Sequence, residues 1–233
     1  MKSVTIGWIL FLFISPAWAG TFVETFDNPD LEDWQELIAF DVNIAPGSWK
    51  VLNGELEATI KDRVGPRVPQ LLIIEDDTWE DYEIELKVKP LESHGPGLFV
   101  IAARITEKWG LLCTIGVLSP EHGSNVHCFG GRVPGKLFNA FGRKENPPLK
   151  LKEWSTLKLS VNEAKMTFWV NGKKALESQL LSHFEGGVGF GLANYTARFD
   201  NIIISGDSIP DKGNLSVSPR LKLATTWGNL KDF

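Results

Sequence analysis

Glu83 and Glu85 have the spacing of two carboxylates on one face of a β-strand, because side chains two residues apart point the same way. Such a pair could act as the nucleophile and the general acid of a retaining glycosidase. No further acid continues the pattern, since Leu86 and Lys87 follow. We therefore interpret the two glutamates as members of a solvated strand face.

Other catalytic and metal-binding patterns are missing from the sequence. Neither a G-x-S-x-G turn nor an H-E-x-x-H helix occurs, and the four histidines lack the spacing of metal ligands. These are His94, His122, His127 and His183. An enzyme built on this chain would therefore carry its acids on loops. The candidates near the long segment 130–152 are Glu107, Glu121 and Glu145.

Trp169 is the residue with the clearest binding chemistry. The apolar side chains at 166, 168 and 170 occupy the buried face of a strand, so the alternation turns Trp169 outward. An exposed indole can stack on the C–H face of a sugar ring, and Thr167, Lys158 and Ser160 could supply hydrogen bonds around it. The alternative is that Trp169 is covered by the segment 130–152 or by the C-terminal tail and completes a second core layer.

The chain contains two cysteines, Cys113 and Cys128. The segments 109–117 and 125–129 are predicted strands, and folding the chain about Pro120 places the cysteines opposite one another. We therefore predict a disulfide between them, as is usual in exported proteins. The alternative is a pair of buried free thiols.

Residues 1–19 have the composition of a cleaved signal peptide. Lys2 gives a positive start, an apolar run follows from 4 to 14, and Ala17 and Ala19 form a small-x-small cleavage site. The apolar run is too short to cross a bilayer, and no later segment is apolar for long enough. The sequence therefore predicts a protein without a transmembrane segment that is secreted to the extracellular space or the periplasm.

The charge of the chain argues against a nucleic-acid partner. It has 24 Lys and Arg residues against 29 Asp and Glu residues, a formal net charge of −5, whereas nucleic-acid binding depends on neutralising phosphates. A glycan or a surface protein is the partner class that we expect.

Short alternating runs separated by Gly and Pro predict an all-β protein. The clearest is a three-stranded meander from Trp154 to Glu177, in which Asn171-Gly172 forms a type I′ hairpin turn. A second turn of this kind, Asn53-Gly54, predicts a hairpin between 49 and 60. The almost wholly apolar run from 98 to 105 predicts a central strand covered on both faces.

Three segments lack a clear alternation. Residues 31–37 favour one helical turn, and residues 130–152 favour a long loop. Residues 207–233 are polar and weakly patterned, which predicts an extended C-terminal tail.

The motifs, taken in their order, resemble those of the concanavalin A-like lectin/glucanase superfamily. They are F-x-x-x-F-D at 22–27, W-x-V-x-N-G-x-L at 49–56, D-Y-E-I-E-L-K-V at 81–88, W-V-N-G at 169–172 and G-V-G-F-G-L with F-D-N-I-I-I between 187 and 204. The resemblance covers about residues 21–206. It implies a jelly-roll sandwich of two antiparallel sheets over residues 20–206.

The resemblance does not extend to a known catalytic pattern. The E-x-D-x-E strand of the laminarinase and lichenase type is absent. A second relative is the keto-disaccharide hydrolase type domain, whose E-V-Q-I-x-D strand is replaced here by Leu111–Gly116, without a carboxylate. We therefore predict a non-catalytic carbohydrate-binding or recognition domain. The alternatives are a divergent glycoside hydrolase and a laminin-G-like module that binds another protein.

The same resemblance implies a structural calcium ion on the convex side of the sandwich. The matching positions are Asp200, the carbonyl of Gly54, and Glu24 on the first strand. Hard cations of this kind bind carboxylate and carbonyl oxygens. The alternative is that Asp200 caps a turn or pairs with Arg198.

Overall fold

The structure is a computed structural model that describes residues 20–40, 42–61, 68–117, 121, 123–135, 137–180 and 182–213. The predicted signal peptide and residues 214–233 of the predicted tail lie outside these residues. The described chain contains fourteen β-strands and no α-helix. The strands are β1 (Gly20–Glu24), β2 (Gln35–Ile38), β3 (Ser48–Leu52), β4 (Glu55–Ile60), β5 (Gln70–Ile74), β6 (Tyr82–Ile105), β7 (Gly110–Gly116), β8 (Asn125–Gly131), β9 (Leu137–Glu145), β10 (Ser155–Asn162), β11 (Lys165–Val170), β12 (Lys173–Gln179), β13 (Gly187–Gly206) and β14 (Lys212–Gly213).

Two Asn-Gly turns fix the register of the hairpins around them. Strands β3 and β4 pair across Asn53-Gly54, and β11 and β12 pair across Asn171-Gly172. All four turn residues have positive φ, between 50° and 74°, as a type I′ turn requires. With β10 beside β11, this confirms both the predicted hairpin and the predicted three-stranded meander.

Two long strands, β6 and β13, run through the whole molecule and pair along their length. A straight strand of 24 residues would be about 80 Å long, yet the backbone N of Arg104 donates to the hydroxyl of Tyr82, 2.6 Å away, at the other end of β6. Strand β6 therefore bends back over itself. Strand β13 bends with it, at register shifts near Asn194 and Asn201, which both have positive φ.

The bend divides the strands into two sheets. The front sheet has the order β12–β11–β10–β6–β13–β1–β14 and uses the first half of β6 and the second half of β13. The back sheet has the order β9–β8–β7–β6–β13–β5–β2 and uses the other halves. All pairs are antiparallel except β1 with β14. This arrangement confirms the predicted all-β sandwich.

The inner faces of the two sheets form one hydrophobic core. Leu86 and Phe168 of the front sheet belong to the same buried cluster as Ile101 and Cys113 of the back sheet. The predicted disulfide between Cys113 and Cys128 is present, and the Sγ atom of Cys113 lies 3.8 Å from the Sδ atom of Met166 in the opposite sheet. The disulfide therefore lies between the sheets.

The outward surface of the back sheet, which we call the back face, is also apolar and covered. Val100, Leu112 and Phe129 are 0 to 2% exposed and form a second buried cluster with Ala39 and Val133. Residues 98–105 are thus covered on both faces, as predicted.

Two predictions about segments without alternation were wrong. Residues 35–38, expected in a helical turn, form β2, because an edge of the back sheet is available for pairing with β5. Part of the expected loop 130–152 forms β9, which pairs with β8. Beyond Gly206 the chain continues beside β1 as β14. No helix among the described residues is long and apolar enough to span a membrane.

Candidate functional site

The outward surface of the front sheet, which we call the front face, is polar. It consists of the outward-pointing residues of β6, β10, β11 and β12, and the inward neighbours of these residues in β6, β10 and β11 are buried. Those residues are Glu83, Glu85, Lys87, Lys89, Thr156, Lys158, Ser160, Thr167, Trp169, Lys174 and Glu177. The alternation of these four neighbouring strands therefore places the indole of Trp169 among charged and hydroxyl groups.

Trp169 is partly exposed and stands between two depressions of the front face. The first has a volume of about 550 Å³ and is lined by Glu85, Thr156, Lys158, Trp169, Asn171 and Gly172. The second has a volume of about 590 Å³ and extends from Trp169 towards Glu177. Trp169 therefore borders both depressions, in which a ligand could lie.

Lys158 and Thr167, the predicted neighbours of Trp169, have different surroundings. Lys158 is the cross-strand partner of Trp169, and its Nζ atom lies 5.5 Å from the ring centroid and 2.5 Å from the Oε2 atom of Glu83. Thr167 is only 5% exposed, and its hydroxyl donates to Glu177 at 3.4 Å. Lys158 is therefore paired with Glu83 but still partly exposed to a ligand, whereas Thr167 mainly supports the rim.

Glu177 forms salt bridges with two lysines at the far edge of the front face. Its Oε2 atom lies 3.0 Å from Lys165 and 3.1 Å from Lys174. The hydrogen bonds from these ammonium groups hold the pKa of Glu177 below its usual value. The carboxylate of Glu177 therefore stays ionised and paired with the two lysines, which makes it a poor proton donor.

Trp154 also belongs to the front face, although it was not among the predicted site residues. It precedes β10 and is 38% exposed. The Nζ atom of Lys89, an outward-pointing residue of β6, lies 5.0 Å from its ring centroid. The sequence signal was available, because the alternation of Lys158 and Thr156 extends back to Trp154.

The predicted calcium ligands lie near the bend of β13. The side chain of Asp27 lies close to Gly54, with its Oδ1 atom 3.6 Å from where a Cβ atom would be. Burial, followed by repulsion from Glu55 and Asp27, raises the pKa of Asp200. The Oε1 atom of Glu24 accepts a hydrogen bond from the backbone N of Phe26. The structure therefore brings together Gly54, Asp200 and Asp27.

The described residues do not form a metal site made of side chains alone. No three His, Cys, Asp or Glu side chains in these residues are grouped so that they could hold a metal ion. Both carboxylate oxygens of Asp200 accept hydrogen bonds from Asn201 at 2.7 Å. A cation there would need backbone carbonyls for most of its ligands.

The three loop glutamates considered as catalytic acids are not gathered at one site. Glu107 precedes the first residue of β7, while Glu145 pairs with Asn125 at the other end of the back sheet. The length of β7 separates them by roughly 20 Å. Glu121 lies on the side of Glu145, and all three side chains are exposed. The separation between Glu107 and Glu145 is too large for these two residues to form a two-carboxylate pair.

A family model named "3-keto-alpha-glucoside-1,2-lyase-like domain" matches residues 21–205. The chain belongs to this family. In strand β7 of this chain, the outward-pointing positions hold Leu112 and Thr114, and both side chains are buried. No residue of β7 is Asp or Glu. A search of the curated proteins finds no match to this chain.

Solved structures with the same fold include several carbohydrate-binding domains. A Bacillus subtilis protein of unknown function with a galectin-like fold has a TM-score of 0.60 at 12% identity, over 79% of this chain and 96% of that one. The carbohydrate-binding module CBM66 from Bacillus subtilis has a TM-score of 0.54 at 14% identity, over 73% and 93%. The carbohydrate recognition domain of Emp46p has a TM-score of 0.54 at 12% identity, over 80% and 95%. The predicted concanavalin A-like jelly roll is confirmed.

Proposed function

We propose that this protein is a glycan-binding domain that does not itself cleave sugars, and that its binding site is the front face around Trp169. The observation that carries the proposal is the position of Trp169, a partly exposed indole between two depressions lined by polar side chains. A sugar ring has an apolar C–H face and a rim of hydroxyls, so it needs an aromatic surface beside hydrogen-bonding groups.

The charged groups of the front face support binding more than catalysis. Glu83 is paired with Lys158, and Glu177 is paired with two lysines. The general acid of a hydrolase must be able to hold a proton near neutral pH, which requires a raised pKa. The pKa of Glu177 is instead lowered. Thr156, Asn171 and Lys158 can donate hydrogen bonds to sugar oxygens.

Cleavage of a 3-keto-glucoside is the second candidate, because the chain belongs to a family named for that reaction. Because β7 contains no carboxylate, the catalytic acids would have to lie elsewhere in the chain. A release assay with 3-keto-glucosides and mixed β-glucans separates the two candidates. We expect no reducing sugar to form.

The decisive experiment is a glycan array with the wild-type protein and Trp169→Ala. We expect the wild type to bind a defined set of glycans and the variant to lose them, with a melting temperature within a few degrees of the wild type. Phe184→Ala removes another exposed ring, beside Arg104, and should bind normally. A stability loss of about 3–5 kcal/mol in Trp169→Ala, or binding by this variant, would contradict the proposal. A wild type that binds only proteins would favour a laminin-G-like role.

We further propose that the protein acts outside the cytoplasm, in the extracellular space or the periplasm. The disulfide between Cys113 and Cys128 supports this, because such bonds persist in oxidising compartments. A structural calcium ion is a separate proposal. Asp200 and the carbonyl of Gly54 would hold it, with Glu24 or Asp27 as the second carboxylate, and it would tie the early hairpin to β13.

A further inference from the structure

We propose that the front face binds an extended chain of sugars through two tryptophans, with Trp154 as the second stacking surface. This proposal rests on the proposed function and specifies its ligand. The class we infer is a β-linked chain of pyranose sugars whose hydroxyls are equatorial, because such rings expose flat C–H surfaces on both sides.

The two indoles lie on the same face but too far apart for one sugar. Trp154 precedes Lys158 by four residues along β10, a distance of about 13 Å. Trp169 is the cross-strand partner of Lys158, about 5 Å to the side. The tryptophan backbones are therefore roughly 14 Å apart, so only a ligand with several linked rings can contact both.

Polar groups occupy the space between the two rings. The depression of about 550 Å³ begins at Trp169 and reaches Thr156, which is the outward residue next to Trp154. Glu85 and Asn171 line the same depression. A chain lying along β10 would thus meet an aromatic ring, then hydrogen-bonding groups, then a second aromatic ring.

Each ring is accompanied by a lysine. The ammonium of Lys89 lies 5.0 Å from the centroid of Trp154, and that of Lys158 lies 5.5 Å from the centroid of Trp169. Each ammonium lies over the face of its indole ring, where it orients the ring and can donate a hydrogen bond to a sugar that stacks on the remaining exposed ring surface. Trp154 remains 38% exposed despite its lysine. The lining of both depressions includes Trp169 and does not include Trp154, so the repeated pair of indole and ammonium indicates a primary subsite at Trp169 and a second subsite at Trp154.

The test is calorimetric titration with cellobiose and cellohexaose, and with xylohexaose as a second chain of the same class. We expect the wild type to bind a hexasaccharide at least about tenfold more tightly than cellobiose. Trp154→Ala should lower hexasaccharide affinity at least about tenfold and leave cellobiose affinity unchanged. Trp169→Ala should lower the affinity for both cellobiose and the hexasaccharides. Trp154→Tyr should keep part of the hexasaccharide affinity that Trp154→Ala loses. Phe184→Ala should bind every ligand as tightly as the wild type.

The outcomes distinguish this inference from the proposed function. If Trp154→Ala binds the hexasaccharides as well as the wild type, the second subsite is wrong, while loss in Trp169→Ala still supports glycan binding. If the wild type binds other array glycans through Trp169 but neither hexasaccharide, the inferred sugar class is wrong. If the wild type binds no glycan at all, both proposals fail.

Discussion

The two outward faces of the sandwich share one long strand, β6, and have opposite chemistry. On the front face, β6 presents Glu85 and Lys87 to solvent. On the back face, the same strand presents Val100 and Ala102, which are completely buried. The front face is therefore open to a ligand, whereas the back face has become a second core.

The difference between the two faces limits where catalytic carboxylates could lie. A strand can present catalytic carboxylates only if its outward positions reach solvent, and on β7 those positions are Leu112 and Thr114, both at most 1% exposed. Ala39 and Val133 pack over this region. In this chain the back face thus contributes stability, and the front face is where we propose that glycans bind.

The largest effect should come from placing a carboxylate on each face. We expect Leu112→Glu to lose more than about 4 kcal/mol of unfolding free energy, because it buries an unpaired charge. Thr156→Glu, opposite Lys87 on the front face, should change it by less than about 0.5 kcal/mol. Thermal unfolding followed by circular dichroism measures both.

Leu112→Ala is the control that separates lost packing from buried charge. It should cost about 2–5 kcal/mol, as usual for a truncated core leucine, and less than Leu112→Glu. A stable, soluble Leu112→Glu protein would mean that the back face opens to water, and the comparison between the faces would fail.

The disulfide should give the next largest effect. Cys113→Ala with Cys128→Ala removes a cross-link over a separation of 15 residues, and we expect a loss of about 3 kcal/mol. Because the bond joins β7 and β8 of the back sheet, glycan binding at Trp169 should survive. Alkylation of the wild type without reductant should modify no thiol. Two modified thiols, or an unchanged melting temperature in the double variant, would contradict the prediction.

Local turn chemistry explains which parts of the fold could be predicted. Asn53-Gly54 and Asn171-Gly172 demand positive φ, so both hairpins could be placed from sequence. Strand β9 could not, because its segment has little alternation and its pairing with β8 is a tertiary effect. The same holds for β2, a short edge strand that needs β5 as a template.

The candidate site was predictable only along single strands. Alternation within β11 correctly turned Trp169 away from the core, and alternation within β10 turned Lys158 to the same face. It could not reveal that Thr167 is nearly covered by neighbours from other strands, or that Lys89 lies beside Trp154. Those contacts depend on the register between strands, which no single segment encodes.

The smallest effect should come from Asp200, on the half of β13 that belongs to the front sheet. Its pKa is raised, mainly by burial, so the ionised carboxylate disfavours the folded state at neutral pH. This cost disappears as the pH falls through the raised pKa. In EDTA at pH 7 we expect Asp200→Asn to melt at the wild-type temperature or slightly above it, and the difference to close towards about pH 4.

With added calcium at pH 7, the wild type should melt at a higher temperature than Asp200→Asn. Added Ca²⁺ should raise the melting temperature of the wild type, because an ion that binds only the folded state stabilises it, and it should leave Asp200→Asn unchanged. Glu24→Gln and Asp27→Asn, compared in the same titration, identify the second carboxylate, since only its loss abolishes the shift. If neither EDTA nor Ca²⁺ moves the wild-type melting temperature, the ion does not bind. The pKa of Asp200 would then stay raised by burial and its acidic neighbours, because no cation would be present to lower it.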